Sequence, residues 1–160
     1  MDVRITVPYG AGEVSCSVRK GRAVNVVRAA APEPGPSVSE AEVAGRALAS
    51  PIGSARLSEL ARGARKIVIL TSDHTRPVPS HITIPPMLDE IRAGSPDADI
   101  TIIIGVGSHR ATTREEMARK FGEGLVRRER IENHDPADGS RLTSLGRLPS
   151  GGELLINKTA

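Results

Sequence analysis

Two polar clusters carry most of the chemistry open to this sequence. The first is Thr71-Ser72-Asp73-His74-Thr75-Arg76-Pro77; the second, about thirty residues on, is Gly105-Val106-Gly107-Ser108-His109-Arg110. Each follows directly on an apolar, largely β-branched run, Ile67-Val68-Ile69-Leu70 and Ile100-Thr101-Ile102-Ile103-Ile104. Open α/β sheets bind ligands at the carboxyl ends of their parallel strands. Here two such ends offer a carboxylate, hydroxyls, guanidiniums and imidazoles. That set can hold and deprotonate a small anionic substrate.

In the first cluster, Pro77 cannot continue a strand, and it biases Arg76 toward an extended backbone. Arg76 offers a planar fork suited to a carboxylate or phosphate, and Asp73 can accept hydrogen bonds from a ligand's hydroxyls. An Asp-turn with a surface Arg ion pair would use the same residues without a ligand. His74 and His81 are loop histidines with no evident partner. In the second cluster the glycines allow a sharp turn and a close backbone approach. A G-x-G-x-x-G fingerprint would need glycine where Arg110 stands, so an NAD site is disfavoured. An imidazole, His109, is delivered at the turn instead. It can serve as proton acceptor or donor near neutrality, or simply cap the next helix. A third triplet, Asn133-His134-Asp135, reads two ways: Asp135 orients His134, or the loop satisfies itself through local hydrogen bonds. There is no His-x-x-x-His pair, no phosphate-binding Gly-x-x-x-x-Gly-Lys-Ser/Thr loop and no Gly-x-Ser-x-Gly elbow, so no metal ligand is assigned.

The chain has 160 residues, which suits one domain of ordinary size. Tyr9 and Phe121 are its only aromatic residues, so the core must be aliphatic. The net charge of +3 is spread over interspersed opposite charges, as in Arg114-Glu115-Glu116. With no aromatic platforms for bases, that pattern argues against nucleic acid as a partner. Cys16 is the single cysteine and lies in an alternating strand pattern, so it is read as a plain strand residue. No apolar run approaches the ~20 residues that span a bilayer, and Met1-Asp2-Val3-Arg4 does not resemble a signal peptide. The expectation is a cytoplasmic protein without a membrane partner.

The elements that must position these clusters follow from periodicity. Val3, Ile5 and Val7, then Val14, Cys16 and Val18, then Val24 and Val26 alternate around glycine turns. They predict a small antiparallel β-meander over residues 1–30, packed on the main domain. A proline-rich connection, Pro32-Glu33-Pro34-Gly35-Pro36, follows. The main domain, 37–160, is expected to be a Rossmann-like parallel sheet with flanking helices. Ser37 or Ser39 caps a helix that Pro51 ends, and a second helix covers 54–62 up to Gly63. Ile67 to Leu70 and Ile100 to Ile104 form strands buried on both faces. A helix starts at Pro85-Pro86 and stops at Gly94. Another is capped by Thr112 or Thr113, with Glu115 and Glu116 in its first turn, and ends near Gly122. Arg130 to Asp135 gives a third strand and its loop. Leu142 to Leu145 and Glu153 to Ile156 form β segments around Ser150-Gly151-Gly152. The sequence stops straight after an apolar strand, like a chain cut short, with the rest of a catalytic domain and a C-terminal domain missing.

At these residues the chain resembles the nickel-dependent lactate racemase family. The resemblance runs through most of the length: Val7-Pro8-Tyr9-Gly10, Ala47-Leu48-Ala49-Ser50-Pro51-Ile52-Gly53, Asp73-His74-Thr75-Arg76-Pro77-Val78-Pro79, Gly105 to Arg110, Glu115-Glu116, Asn133-His134-Asp135, and Gly151 before Leu155-Ile156-Asn157. The paired Asp-x-Thr-Arg-Pro and Gly-x-His-Arg motifs at this separation are the specific part. The resemblance implies a 2-hydroxyacid racemase or epimerase that works by base-assisted hydride transfer. Its cofactor is a nickel pincer nucleotide, a thio-substituted pyridinium mononucleotide carrying nickel. By motif match His109 is one of two imidazole bases, Arg76 binds the substrate carboxylate, and Asp73 and Thr75 contact the cofactor. The family's cofactor-linked lysine, metal-binding histidine and second base lie beyond the Leu155-Ile156-Asn157 region. The expected partners are therefore a small 2-hydroxy carboxylate and the remaining C-terminal part of the same enzyme. These 160 residues alone are expected neither to retain the cofactor nor to racemise. The alternatives are a non-catalytic anion- or nucleotide-binding module, and a scaffold whose polar loops are only turns.

Overall fold

The computed structural model describes residues 2–21, 24, 25, 27 and 38–160. The chain divides into two units, Met1–Ser37 and Val38–Ala160. In the first, β1 (Val3–Tyr9) and β2 (Gly12–Val18) form an antiparallel hairpin with Val3 opposite Val18 and Tyr9 opposite Gly12. Gly10 takes φ +59 in the two-residue turn, and Thr6 Oγ1 meets Ser15 Oγ across the pair at 2.7 Å. The expected meander reduces to this hairpin. Val24 and Asn25 are not in a strand, and Val26, the proline-rich connection and Ser37 lie outside the described residues. Cys16 is an exposed strand residue.

The second unit begins with α1 (Glu40–Ala49) and a short α2 (Leu57–Leu60). Ser39 is the cap of α1, its hydroxyl accepting Glu42 N–H at 3.2 Å. The helix expected over 54–62 shortens to α2, because Arg56 remains extended as its cap. Then come β3 (Lys66–Ser72), α3 (Ser80–Gly94), β4 (Asp99–Gly105), α4 (Arg114–Phe121), α5 (Glu123–Arg128) and β5 (Arg130–Asn133). A 3-10 turn at Gly139–Arg141 leads into an antiparallel pair, β6 (Leu142–Arg147) and β7 (Glu153–Asn157).

Strands β3, β4 and β5 form a parallel sheet in that order. Ser72 pairs with Gly105 and Ile104 with Asn133, so the three carboxyl ends finish at one level. The strand order does not reverse, so connections of one hand all fall on one face. The core has that arrangement. Ile69, Ile100, Ile102 and Ile104 pack with Ile84, Leu88 and Ile91 of α3 and with Phe121 and Leu125 beyond them. β4 is the strand buried on both faces. β3 is not, since it is an edge strand and its Leu70 is 70% exposed.

The start of α3 differs from expectation. Pro85 and Pro86 lie inside the helix rather than at its first turn. They deprive the carbonyls of His81 and Ile82 of intrahelical partners. Burial of Ile84, Leu88 and Ile91 along one stripe offsets that loss. At its far end, α3 packs against α2 through Gly94. A Cβ there would sit 1.9 Å from the Ser58 carbonyl oxygen, a backbone atom that cannot step aside. Gly45, in the middle of α1, has open space where its Cβ would be.

These two glycines make opposite predictions. Gly94→Ala should destabilise the fold by about 1–3 kcal/mol through overpacking. Gly45→Ala should stabilise it by up to about 1 kcal/mol through helix propensity. Chemical denaturation of the two variants beside the wild type checks both signs.

Candidate active site

The carboxyl edge of the parallel sheet is built from three loops, one after each strand. After β3, Asp73 is 2% exposed. Its Oδ1 accepts both the Thr75 backbone N–H at 3.0 Å and the Thr75 hydroxyl at 2.7 Å. This Asx-type turn is completed by Arg76 N–H donating to Asp73 O at 3.3 Å. The prolines at 77 and 79 then carry the chain stiffly into α3.

After β4, Gly107 takes φ +58, a conformation that a side-chain-bearing residue adopts only under strain. The turn closes with His109 N–H on Val106 O at 2.9 Å. It delivers the His109 ring to Asp73, with Nδ1 2.5 Å from Oδ2. The Thr75 hydroxyl first, then the His109 ring, hold the Asp73 carboxyl well below the usual carboxylate range. An ionised carboxylate can only accept, so Nδ1 of the neutral ring must carry the hydrogen. Nε2 is then left with its lone pair free. Unlike Asp73, the His109 side chain is 44% exposed and reachable from solvent.

The loop carrying His109 is pinned at its other end too. Thr112 is 3% exposed. Its N–H donates to Asn133 Oδ1 at 2.9 Å and its carbonyl accepts from Asn133 Nδ2 at 3.0 Å, so the amide of Asn133 continues the sheet in miniature. His74 Nδ1 meets Thr112 Oγ1 at 3.2 Å, and His74 Nε2 lies 3.5 Å from Glu116 Oε1. Glu116 is the hub. It takes Arg110 bidentately at 2.8 and 2.6 Å and accepts Thr113 N–H at 2.9 Å, while Thr113 Oγ1 accepts Glu116 N–H at 3.3 Å. Thr113 is therefore the cap of α4, in a full capping box. Glu116 thus ties Arg110 and Thr113 to α4, while Asn133 ties Thr112 to β5. Arg110 is the main cause, with the Thr113 N–H second, of a Glu116 carboxyl lowered to about 2.

Sequence reasoning placed Asp73, Thr75, Arg76 and His109 at this edge. The structure joins Asp73, Thr75 and His109 by direct hydrogen bonds. Arg76 joins them only through its backbone N–H on Asp73 O, and its guanidinium is bonded to none of the three. It lines a separate cavity of about 440 Å³ with His81, Arg119 and Lys120, and its carbonyl accepts from Lys120 Nζ at 3.1 Å. His109 lines a cavity of about 430 Å³ with Arg110, His134 and Asp135. His74 is not the bystander its position suggested but a tie between two loops. Asp135 does not orient His134: its Oδ1 accepts Ala137 N–H at 2.9 Å. Asn157 takes that place, its Nδ2 lying 3.2 Å from His134 Nδ1. Glu116 was seen only as a first-turn acid, although Thr-x-x-Glu before a helix is a capping signal. Asn157 carried no local signal at all. Among the described residues no group of three or more His, Cys, Asp or Glu side chains could hold a metal ion. Nor, among those residues, is any helix long and apolar enough to cross a membrane.

The fold and site define an α/β domain with an acid–imidazole pair at the carboxyl edge of its parallel sheet. Comparison with known proteins gives that class a family. Residues 9–160 match the model of the lactate racemase N-terminal domain, and the chain belongs to that family. It is 46% identical over 156 residues to a lactate racemase of Thermoanaerobacterium thermosaccharolyticum, covering 98% of this chain and 37% of that protein. It is 50% identical over 123 residues to a lactate racemase of Lactiplantibacillus plantarum, covering 77% of this chain and 29% of that protein. Among solved structures, the lactate racemase apoprotein of T. thermosaccharolyticum superposes with a TM-score of 0.84 at 44% identity, over 98% of this chain and 36% of that one. The chain thus spans about a third of the length of the relatives it matches.

Glu116 provides a pH test of the network. Its carboxyl is depressed in the folded state, so its stabilisation is complete above the ordinary value of 4.5 and is lost as pH falls toward about 2. Glu116→Gln should therefore lower the melting temperature at neutral pH. The gap between variant and wild type should close across that acid window. A gap that stays constant down to the bottom of the window would contradict the ion-pair account.

Proposed function

We propose that this chain is the N-terminal part of a 2-hydroxyacid racemase or epimerase of the lactate type, using a nickel pincer nucleotide and base-assisted hydride transfer. The observation that carries the reading is the Asp73–His109 pair at 2.5 Å, with Nε2 of the imidazole left free at an accessible edge. Family membership supports it. So does the chemistry of the substrate class, since a 2-hydroxy acid offers one hydroxyl proton for a base and one carboxylate for a guanidinium.

In this mechanism His109 Nε2 receives the hydroxyl proton of the substrate as the carbonyl develops. Asp73 fixes the ring tautomer and stabilises the imidazolium that results. Proton return from the same nitrogen re-forms one enantiomer, and the other requires the second imidazole base that the family resemblance implies. Arg76 binds the substrate carboxylate through its fork. For that role its loop must meet the His109 side in the complete enzyme, because in these residues the two side chains line different cavities.

The cofactor fits these residues only in its organic part. The described residues supply no ligand set for nickel, and none is assigned. Thr75 Oγ1 gives its hydrogen to Asp73, so it can meet a bound group only as an acceptor, as a ribose hydroxyl would require. Asp73 retains one acceptor position on Oδ2 beside the His109 bond. Ser72 Oγ, at the same strand end, is buried without a hydrogen-bond partner. When bound, the cofactor supplies the hydride acceptor. A cytoplasmic location belongs to the same proposal.

A second reading, a non-catalytic anion site, draws on the Arg76 cavity. Arg76, Arg119 and Lys120 converge there, while Glu116 on its wall is committed to Arg110. The full-length, nickel-loaded protein separates the two. His109→Ala should lower kcat/KM for lactate racemisation by roughly 100- to 10,000-fold while leaving lactate binding in place. Asp73→Asn should lower it as well, because the ring loses the acceptor that fixes its tautomer. Chiral chromatography of D- and L-lactate measures both, and full activity in His109→Ala would remove the base from the mechanism.

A further inference from the structure

His109 shares its cavity with a second imidazole, His134. The position of His134 is fixed by the sheet: its backbone N–H donates to Ile104 O at 2.9 Å, which extends the β4–β5 ladder by one residue. The orientation of its ring protonation is fixed from behind. Asn157 is 7% exposed. Its Oδ1 accepts Thr159 N–H at 2.8 Å, so its amide can face only one way. The NH2 end therefore points at His134 Nδ1, 3.2 Å away. An amide NH2 can only donate, so Nδ1 of the neutral ring is the acceptor and the hydrogen resides on Nε2. The charged neighbours are engaged elsewhere. Asp135 is exposed and bonds Ala137 N–H, and Arg110 is held by Glu116. Among the described residues, His134 Nε2 has no hydrogen-bond partner.

The two rings are thus opposite in kind. His109 is held at Nδ1 by an acceptor and offers a lone pair at Nε2. His134 is held at Nδ1 by a donor and offers N–H at Nε2. We infer that His134 is a ligand-binding residue of the His109 cavity, donating its Nε2–H to a carboxylate oxygen of the hydroxy acid whose hydroxyl faces His109. The inference rests on the functional reading above and adds a residue to that site. A 2-hydroxy carboxylate carries one O–H donor beside a pair of acceptor oxygens, which matches one acceptor and one donor across a small cavity. A phosphate dianion offers acceptors alone and would leave the His109 lone pair facing another lone pair.

The test uses the full-length, cofactor-loaded protein and two variants that divide the ring's functions. In His134→Asn the shorter amide reaches the Nδ1 position, keeps a contact for Asn157 and places nothing at Nε2. In His134→Gln the amide NH2 reaches the Nε2 position. His134→Asn should raise KM for lactate by about tenfold, the worth of one hydrogen bond to a charged group, with kcat little changed. His134→Gln should stay within about threefold of wild type, a difference too small for the loss of such a bond. An unchanged KM in His134→Asn would overturn the inference, leaving the carboxylate to Arg76 alone. Equal impairment of both variants with a lowered melting temperature would also overturn it, in favour of a purely structural ring. Long-range 1H–15N spectra of histidine-labelled protein at alkaline pH give a readout independent of turnover: His134 should be the Nε2–H tautomer and His109 the Nδ1–H tautomer. If the wild type racemises no 2-hydroxy acid, the functional reading falls by itself. Calorimetric lactate binding to His134→Asn and the ring tautomers then still decide for or against His134.

Discussion

The carboxylate of Asp73 is the constraint on which this edge of the molecule depends. It is nearly sealed from solvent, and a buried charge is tolerable only where its lone pairs are satisfied. Thr75 supplies two donors from the same loop and His109 a third from the neighbouring one. The acid therefore folds its own turn and captures the next strand's turn in the same act. That capture is possible because β3 and β4 are parallel and in register, so that Ser72 and Gly105 end side by side. A one-residue slip would turn every side chain to the other face and separate the pair.

Holding one ring would not by itself make a catalytic geometry. The His109 loop is also tied to β5 through Asn133, to the β3 loop through His74, and to α4 through Arg110, Thr113 and Glu116. The Asn133 and Glu116 ties use side chains that belong to β5 and α4. Support of that kind, in which first contacts are locked by a surrounding shell, is what keeps functional groups within a fraction of an ångström of the geometry they need. The helices contribute by covering a single sheet face and leaving the carboxyl edge open.

Much of this could be read from the sequence, and the limits are instructive. Strands β4 and β5, the C-terminal pair β6–β7 and the capped helix α4 followed from apolar runs, glycines and Thr113. These signals are local. The two motifs pointed to Asp73, Thr75 and His109 because strand ends and turns are where polar residues have no regular role. Three things were not legible. Burial of β3 depends on which strands lie beside it, which no window of its own residues encodes. The start of α3 was displaced because tertiary burial of Ile84 outweighed the local cost of Pro85 and Pro86. The partner of His134 is Asn157, 23 residues away, where the adjacent Asp135 was the obvious local choice. Adjacent residues on an extended chain point in opposite directions, so an acid next in sequence is seldom the one that touches.

The placement of charge around His109 shows how the sheet edge accommodates an imidazole next to a cation in sequence. Arg110 follows His109 directly, and an unpaired guanidinium there would leave an uncompensated positive charge beside the ring. Its fork is instead spent on both oxygens of Glu116, so its charge is compensated where it stands. The negative charge nearest the ring is then Asp73, in contact with Nδ1. Arg76, Arg119 and Lys120, which have no carboxylate partner among the described residues, line the other cavity. Charge is thereby divided: the pairs Asp73–His109 and Glu116–Arg110 hold the loop after β4, while cations without a carboxylate partner lie on the loop after β3 and on α4.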